Sequence, residues 1–196
     1  MLTIIVNHLI SKIYTFFVSL KRGVSLDLSS KVYYKSKIHS SSSYNNLRGK
    51  IIIGSKCKIG TSHRNYHCGI PFPTTLLCEG SGSEIIIGDN CRLNGVYVHA
   101  KKKVYIGNNC VMASGINIID SNGHVTKSLD RTKGGDSPMD IVIGNNVWIG
   151  MNAIILKGSV IEDNSIISAG SVVRGHVPAN TIYSTHDTIS TRTIEF

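Results

Sequence analysis

The first sixty residues almost entirely lack negative charge. Asp27 is their single acidic residue against ten Lys and Arg, whereas residues 61–196 hold eleven of each sign, so the net charge of +9 arises in the first third of the chain. Aromatic residues make up only 7%. Nucleic-acid-binding domains carry basic stripes on the folded domain. The balanced charge beyond residue 60 therefore argues against nucleic acid as a partner.

Proline and metal-binding cysteine pairs are also scarce. There are four Pro, and none of the five Cys forms a Cys-x-x-Cys pair, so no zinc site is expected. The absence of a small-residue cleavage site after the apolar start favours reduced thiols in a cytoplasmic protein. The apolar residues are mainly β-branched, with 28 Ile and 15 Val against 11 Leu. This composition predicts a β-rich fold.

Residues 1–23 differ from the rest and are predicted to form an amphipathic helix. Their apolar residues recur every three or four positions, with Gly23 as a stop signal: Leu2, Ile5, Val6, Leu9, Ile10, Ile13, Phe17 and Leu20. Polar residues such as Asn7 and Lys12 interrupt the run at its middle, which excludes a membrane span. Two alternatives remain. The helix packs on the main domain or between subunits, or it lies on an anionic membrane surface.

A six-residue repeat dominates the remainder. From Ile143, six consecutive registers begin with Ile or Val, and their fifth positions are compact: Val147, Ala153, Ser159, Ser165 and Ser171. The register recurs upstream at Ile53, Ile87 and Ile106, where Cys57, Cys91 and Cys110 occupy the fifth position. Short strands that each bury one large and one small residue, joined by Gly and Asn corners, predict a parallel β-helix. The three thiols are then small core residues.

The predicted organisation is all-β. Residues 24–182 form the β-helix, residues 183–196 form a C-terminal tail, and one loop, 119–140, interrupts the repeat. Long excursions from a regular scaffold are often functional. The stretch 61–84 is irregular. Its Cys68 and Cys78 have no assigned role, and its candidates for an acceptor pocket are His63, Tyr66, His67 and Phe72.

The run from Ile143 to Pro178 resembles the hexapeptide-repeat acyltransferases. It contains Asn146-Val147-Trp148-Ile149-Gly150, Ala169-Gly170-Ser171-Val172-Val173 and Val177-Pro178. It is most similar to the maltose, galactoside and Nod-factor O-acetyltransferases and their polysaccharide-modifying relatives. The resemblance implies a left-handed β-helix shaped as a triangular prism, a homotrimer, and acetyl-CoA in the crevice between subunits, with no metal required.

Within this resemblance, His124 is the candidate general base. Acetyl transfer from a thioester to a sugar hydroxyl needs a group that takes the hydroxyl proton, and a neutral imidazole has a suitable pKa. His124 is the only histidine of loop 119–140 and matches the position of the family's catalytic histidine. Asp120, four residues earlier, is predicted to bond the other ring nitrogen and hold the productive tautomer.

The resemblance also implies binding residues. Asn94 is a candidate contact to the acceptor, and Trp148 to the acceptor and to the acetyl and pantetheine end. The amides near Gly150 and Met151 are candidate oxyanion donors. Ala169, Gly170 and Ser171 suit close approach by pantetheine, and Arg174 suits a phosphate. Arg192 falls where the family commonly has a basic residue, although a Gly-Asn-Pro-Ala turn expected after Pro178 is replaced by Ser184-Thr185-His186-Asp187-Thr188.

Several alternatives share this scaffold. A γ-type carbonic anhydrase needs three zinc-binding histidines, and His99 with His124 supplies only two. A streptogramin or xenobiotic acetyltransferase differs in its acceptor pocket, and a non-catalytic scaffold would need neither loop 119–140 nor Trp148. A serine acetyltransferase carries a larger helical domain. The favoured hypothesis is direct O-acetylation of a sugar in a bacterial surface polysaccharide or lipid-linked oligosaccharide. The hypothesis places the enzyme in the cytoplasm, with peripheral contact at the inner face of the membrane as an alternative that brings the N-terminal positive charge near an anionic surface.

Overall fold

A computed structural model of the chain describes residues 2–41, 48–61, 66–125, 130, 132–185 and 190–193; the side chains of residues 2–5 and 190–193 lie outside this description. After one helix, α1 (Leu2–Ser19), short strands repeat in groups of three. Each coil contributes one strand to each of three sheets. The predicted left-handed parallel β-helix is thereby confirmed.

Six complete coils and a partial seventh are present in the described part of the chain. The first four coils contain β1 Val24–Leu26, β2 Lys31–Val32 and β3 Lys37–Ser40; β4 Lys50–Ile53, β5 Lys58–Ile59 and β6 Thr75–Cys78; β7 Glu84–Ile87, β8 Arg92–Leu93 and β9 Tyr97–Ala100; β10 Lys103–Ile106, β11 Val111–Met112 and β12 Asn117–Ile119. The later coils contain β13 Ile141–Ile143, β14 Trp148–Ile149 and β15 Ile154–Leu156; β16 Val160–Ile161, β17 Ile166–Ile167 and β18 Val172–Val173; β19 His176–Val177 and β20 Thr181–Ser184, followed by β21 Ser190–Thr193.

The strands stack in parallel, one coil above the next. Sheet 1 holds β1, β4, β7, β10, β13, β16 and β19; sheet 2 holds β2, β5, β8, β11, β14, β17, β20 and β21; sheet 3 holds β3, β6, β9, β12, β15 and β18. Strand β21 pairs antiparallel with β20, with Arg192 opposite Ile182. Regular structure therefore reaches into the segment 183–196.

The repeat builds two buried columns, as its register predicts. The large first-position residues of the later coils are fully buried, among them Ile149, Ile161 and Ile167. The compact fifth-position residues are buried too, including Ala153 and Ser165. Cys57, Cys91 and Cys110 continue the small column as free thiols at most 1% exposed. Their predicted core role is confirmed.

The corners need residues that tolerate close approach or a left-handed backbone. A Cβ on Gly107 would lie 2.6 Å from the carbonyl oxygen of Gly144 in the next coil, so only glycine permits this stacking. Asn146 and Asn164 adopt φ of 54° and 60°, and the side-chain amide of Asn146 donates to Asn164 Oδ1 at 3.0 Å. Asn tolerates this region better than other residues with a side chain.

Three long connections depart from the coils, where the repeat pattern predicts one. Residues 41–49 join β3 to β4, residues 60–74 join β5 to β6, and residues 120–140 join β12 to β13. The line of corners between sheets 2 and 3 is called edge 2/3, and that between sheets 3 and 1 is called edge 3/1. Connection 60–74 lies on edge 2/3, and the other two lie on edge 3/1.

Helix α1 covers the open end of the first coil with polar side chains. Thr15 Oγ1 accepts a hydrogen bond from the amide of Val32 at 2.9 Å, and Tyr14 Oη donates to the carbonyl of Ser36 at 2.7 Å. Just after the helix, Lys21 Nζ donates to the carbonyl of Ile38 at 3.1 Å. The first coil has no preceding coil to pair with, so these side chains satisfy backbone groups that would otherwise lack partners.

Helix α1 packs on the first coil, as one of the predicted alternatives states, but it does so through its polar face, and its apolar face points away from the coils. Ser11, Thr15 and Val18 are the buried residues of the helix. The outward side chains of the helix, and that of Leu20 directly after it, are 39–65% exposed: Val6, Leu9, Ile10, Ile13, Phe16, Phe17 and Leu20. No helix in the described ranges has the combination of length and hydropathy needed to cross a membrane.

Candidate functional site

The loop that carries His124 leaves the prism on edge 3/1. It begins at Asp120, directly after β12, and returns at β13. His124 is exposed and follows Gly123, whose φ of 79° is in the left-handed region that favours glycine. The described side chains form no hydrogen bond with the His124 ring, so this ring is accessible to a substrate hydroxyl.

Asp120 has a different place from the one predicted. Its side chain is fully buried, and its two oxygens accept hydrogen bonds from the amides of Lys101, Lys102 and Lys103 at 2.7–3.0 Å. These amides occupy the acceptor capacity of the carboxylate. The predicted Asp120–His124 pair is therefore wrong. Asp120 instead fixes the turn between β9 and β10 beneath the loop.

A second carboxylate, which sequence reasoning missed, anchors the loop itself. The side chain of Asp136 is 6% exposed, and its Oδ2 accepts from the amide of Asn122 at 2.7 Å and from Lys157 Nζ at 2.6 Å. Burial opposes ionisation of Asp136. The hydrogen bond from Lys157 outweighs this effect, together with the amides of Asn122 and Gly123, so the pKa of the carboxyl lies below its usual value.

These contacts join the described beginning and end of the loop to the next coil. Lys157 lies in the corner after β15, one coil beyond the loop, and its Nζ also donates to the carbonyl of Ser137 at 3.1 Å. The amide of Met139 donates to the carbonyl of Asp120 at 2.9 Å, which closes the base of the loop. The Asn122 amide held by Asp136 is two residues from His124. No repeat pattern identifies such a contact, because its partners are far apart in sequence.

Most predicted binding residues gather on edge 2/3 instead. Asn94 follows β8, Gly150 and Met151 follow β14, and Ala169 and Gly170 follow β17. These corners are stacked directly, since the amide of Gly170 donates to the carbonyl of Met151 at 2.8 Å. Ala169 and Gly170 are exposed, and a Cβ on Gly170 would meet no atom within 4 Å. The surface here is open to a slender ligand such as pantetheine.

Two of the predicted backbone roles need correction. The amide of Gly150 donates to the carbonyl of Ile167 at 2.8 Å, so it is not available to an oxyanion. Met151 is the remaining predicted donor. The side chain of Ser171 lies in the buried column, and its amide donates to the carbonyl of Ser168 at 3.2 Å. Ser171 therefore belongs to the core and has no side chain to offer a cofactor.

A cavity of about 390 Å³ opens on edge 2/3 beside connection 60–74. Its lining comes from that connection and from two adjacent corners: Cys68, Gly69, Ile70, Pro71, Ser114, Met151 and Asn152. Tyr66 lies close by. Burial and the nearby Cys68 raise its pKa, and a hydrogen bond with the side chain of Asn94 opposes the rise. Two candidates for the acceptor site, Asn94 and Tyr66, are thus brought together.

Among the other candidates for an acceptor pocket, Phe72 is half-buried and His67 is exposed, whereas His63 lies outside the described residues.

The other predicted residues lie elsewhere. Trp148 is 53% exposed on the outer face of sheet 2, between Val111 and Ile166 of the neighbouring coils. Arg174 follows β18 and is exposed on edge 3/1, the edge of His124. Arg192 lies in β21, and its side chain is outside the described residues.

The candidate residues of one chain therefore lie in two groups, which we call half-sites. His124 and Arg174 lie on edge 3/1, whereas Asn94, Met151 and Ala169 lie on edge 2/3. Sheet 3 separates the two edges. His99 on the outer face of this sheet is bound by Glu79, with 2.8 Å between Nε2 and Oε2. In the described ranges, no three His, Cys, Asp or Glu side chains are grouped to hold a metal ion.

The six-residue repeat and the residues around it are similar to known transferases. Residues 140–175 match the family model described as bacterial transferase hexapeptide, six repeats. Galactoside O-acetyltransferase of Escherichia coli K12 is 37% identical over 102 residues, which are 52% of this chain and 50% of that protein. Polysialic acid O-acetyltransferase of Neisseria meningitidis is 32% identical over 119 residues, 55% of each chain.

The segment that matches the family model thus lies within a longer match to curated proteins. The resemblance to hexapeptide-repeat acyltransferases is confirmed. The chain spans about half the length of the curated relatives it matches. Among solved structures, AntD, an N-acyltransferase from Bacillus cereus in complex with dTDP and 3-hydroxybutyryl-CoA, aligns with a TM-score of 0.57 at 12% identity. The alignment covers 88% of this chain and 83% of AntD. This likeness shows the fold.

Proposed function

We propose that this chain is an acetyl-CoA-dependent O-acetyltransferase that acts on a hydroxyl of a sugar, in a bacterial surface polysaccharide or a lipid-linked oligosaccharide. The relatives named galactoside and polysialic acid O-acetyltransferase support the sugar acceptor. The acyl-CoA bound in AntD supports the donor. The observation that carries the proposal is the accessible His124 on a loop anchored by Asp136 and Lys157.

The reaction is a direct transfer with His124 as general base. The imidazole removes the proton from the acceptor hydroxyl while the hydroxyl oxygen bonds to the carbonyl carbon of the acetyl thioester. The carbon–sulfur bond then breaks, and the imidazolium returns the proton to the departing thiolate. The Met151 amide on edge 2/3 would stabilise the negative charge on the carbonyl oxygen of the tetrahedral intermediate.

The complete site needs two copies of the chain. Edge 3/1 supplies His124 and Arg174, whereas edge 2/3 supplies Met151, the Ala169–Gly170 corner and Asn94, so the two half-sites meet if neighbouring prisms pack side by side. We therefore propose a closed homotrimer, in which each subunit gives its two edges to two different neighbours. In this arrangement the acetyl donor lies between subunits. Trp148 on sheet 2 would face the same crevice.

Thiol release from acetyl-CoA in the presence of sugars and oligosaccharides tests the activity. His124→Ala should lower the turnover number by about 10²–10⁴-fold, because general base catalysis contributes a factor of this size. The matched control is His176→Ala on sheet 1, an exposed histidine bound by Glu162, which should retain normal turnover. Near-normal turnover in His124→Ala would contradict the proposed mechanism.

The same assay separates the alternatives. Thiol release with streptogramins and not with sugars would identify a xenobiotic acetyltransferase. A chain that binds no acetyl-CoA and releases no thiol with any acceptor would be a scaffold. Either result would overturn the proposed sugar acceptor, and the second would overturn the catalytic role of His124 as well.

A further inference from the structure

The outer face of α1 carries a group of exposed large apolar side chains. Eight of the fourteen exposed large apolar side chains in that part belong to the first 28 residues. Six lie on the helix, Leu20 directly follows it, and Leu28, 64% exposed, lies in the turn beside it. Contiguous apolar patches of this kind mark sites that contact a membrane or another protein.

Basic side chains line one flank of this apolar face. Lys12, Lys31, Lys56 and Lys58 surround a cavity of about 600 Å³ that also contains the side chains of Phe16 and Leu28. Lys31 Nζ lies 2.9 Å from His8 Nδ1, and the charge of Lys31, with burial and Lys12, lowers the pKa of His8. The flank therefore has a strong positive potential. Asp27 is the single acidic residue of the first sixty, and its Oδ1 accepts hydrogen bonds from both the amide and the hydroxyl of Ser29.

We propose that this surface, the outward face of α1 with the flanking lysines, docks on a bilayer that contains anionic phospholipids. The apolar side chains would enter the boundary between headgroups and acyl chains, and the lysines would contact the lipid phosphates. This inference does not depend on acetyl transfer. The opposite face of the helix is tied to the first coil through Thr15, Tyr14 and Val18. The helix can therefore lie flat on a membrane without leaving the prism.

A bilayer fits this surface better than a second copy of the chain. A two-fold contact through the same face would bring the lysine flanks of two copies together, and like charges across an interface oppose association. An anionic bilayer offers an apolar interior and a negative surface side by side. This is the same arrangement as the apolar face and its basic flank.

Flotation of the full chain with lipid vesicles tests the proposal. The wild-type chain should bind vesicles of phosphatidylglycerol and phosphatidylethanolamine, should bind pure phosphatidylcholine much less, and should be released by added salt. The double variant Ile13→Ser, Phe17→Ser should bind the anionic vesicles at least about tenfold more weakly than the wild type, because two exposed apolar side chains no longer enter the bilayer. The triple variant Lys12→Gln, Lys56→Gln, Lys58→Gln should lose at least about tenfold on the anionic vesicles.

Two control variants replace exposed apolar side chains or lysines on other surfaces of the protein. Val142→Ser with Val160→Ser changes two exposed apolar residues of sheet 1, and Lys37→Gln, Lys102→Gln, Lys133→Gln removes three exposed charges elsewhere. Both controls should bind like the wild type.

Deletion of α1 is a poorer test because it also uncovers the first coil. The proposal is overturned if the wild type ignores anionic vesicles or if the helix variants bind as the controls do. A lower molecular mass of the Ile13, Phe17 variant in sedimentation would also overturn it, because a second copy would then cover this face.

Discussion

The contacts of Asp136 indicate its role, although no pattern in the sequence predicts it. Its carboxylate joins the amide of Asn122 to Lys157, so it ties the loop near His124 to the coil beyond it. A general base must lie within hydrogen-bond reach of the proton it removes. We therefore regard Asp136 as a positioning residue, which acts on the reaction through the path of the loop.

Asp136→Asn should lower the turnover number by about ten- to a hundredfold, since small displacements of a catalytic group are costly. The KM for acetyl-CoA should change little, because the half-site on edge 2/3 does not include this residue. Steady-state kinetics with the best acceptor measures both quantities. Asp130→Asn alters an exposed carboxylate of the same loop, 3.3 Å from Lys133, and serves as the control. An equal loss in both variants, or a change confined to KM, would refute the positioning role.

At the scale of single elements, helix α1 acts as a cap on the prism. Its buried face is polar because it meets the unpaired backbone of the first coil. Thr15 contributes most directly, since its hydroxyl accepts from the amide of Val32 and donates to the carbonyl of Ser11 at 2.7 Å. Thr15 is 3% exposed, so no solvent replaces these bonds.

Thr15→Val should lower the free energy of unfolding by about 1–3 kcal/mol, because it leaves the buried amide of Val32 without a partner at nearly constant side-chain volume. Urea unfolding followed by circular dichroism measures the difference. Thr75→Val is the control, since the hydroxyl of Thr75 forms a solvent-exposed bond to the carbonyl of Pro73. Equal stability of the two variants would mean that the helix is not a cap in solution.

The elements differ in how far the sequence predicts them. The buried columns, the glycine and asparagine corners and the three-sheet architecture follow from the six-residue period, because each depends on residues one coil apart. The helix was predictable from its spacing, but the direction of its apolar face was not. That direction depends on the unpaired edge of β2, where Val32 needs a partner, and hydrophobic periodicity carries no information about such an edge.

The site was predictable in part for a related reason. Positions inside the repeat, such as Gly150 and Ala169, have a fixed corner, so their common edge follows from the register. Loop residues have no register. Asp120 is four residues from His124 in sequence, yet its carboxylate turns inward to the amides of Lys101–Lys103, and the remote Asp136 holds the loop.

At the scale of the whole molecule, the decisive question is whether the two half-sites of one chain serve different active sites. His124 and Ala169 lie on different edges of the prism, with sheet 3 between them. If the proposed homotrimer forms, each active site combines His124 of one subunit with the Ala169 corner of its neighbour. Two chains with defects on different edges should then complement each other.

Co-expression of His124→Ala with Ala169→Trp tests this arrangement. Each variant alone should be almost inactive, the first without its base and the second with its exposed corner blocked. In randomly mixed trimers, about a quarter of the active sites should combine an intact His124 with an intact Ala169 corner, so about a quarter of the wild-type activity should return. Chains that carry both substitutions, mixed with His124→Ala, should stay inactive and provide the control. If the mixture of single variants stays inactive although mixed trimers are isolated, one chain must supply the entire site, and the proposed assembly is wrong.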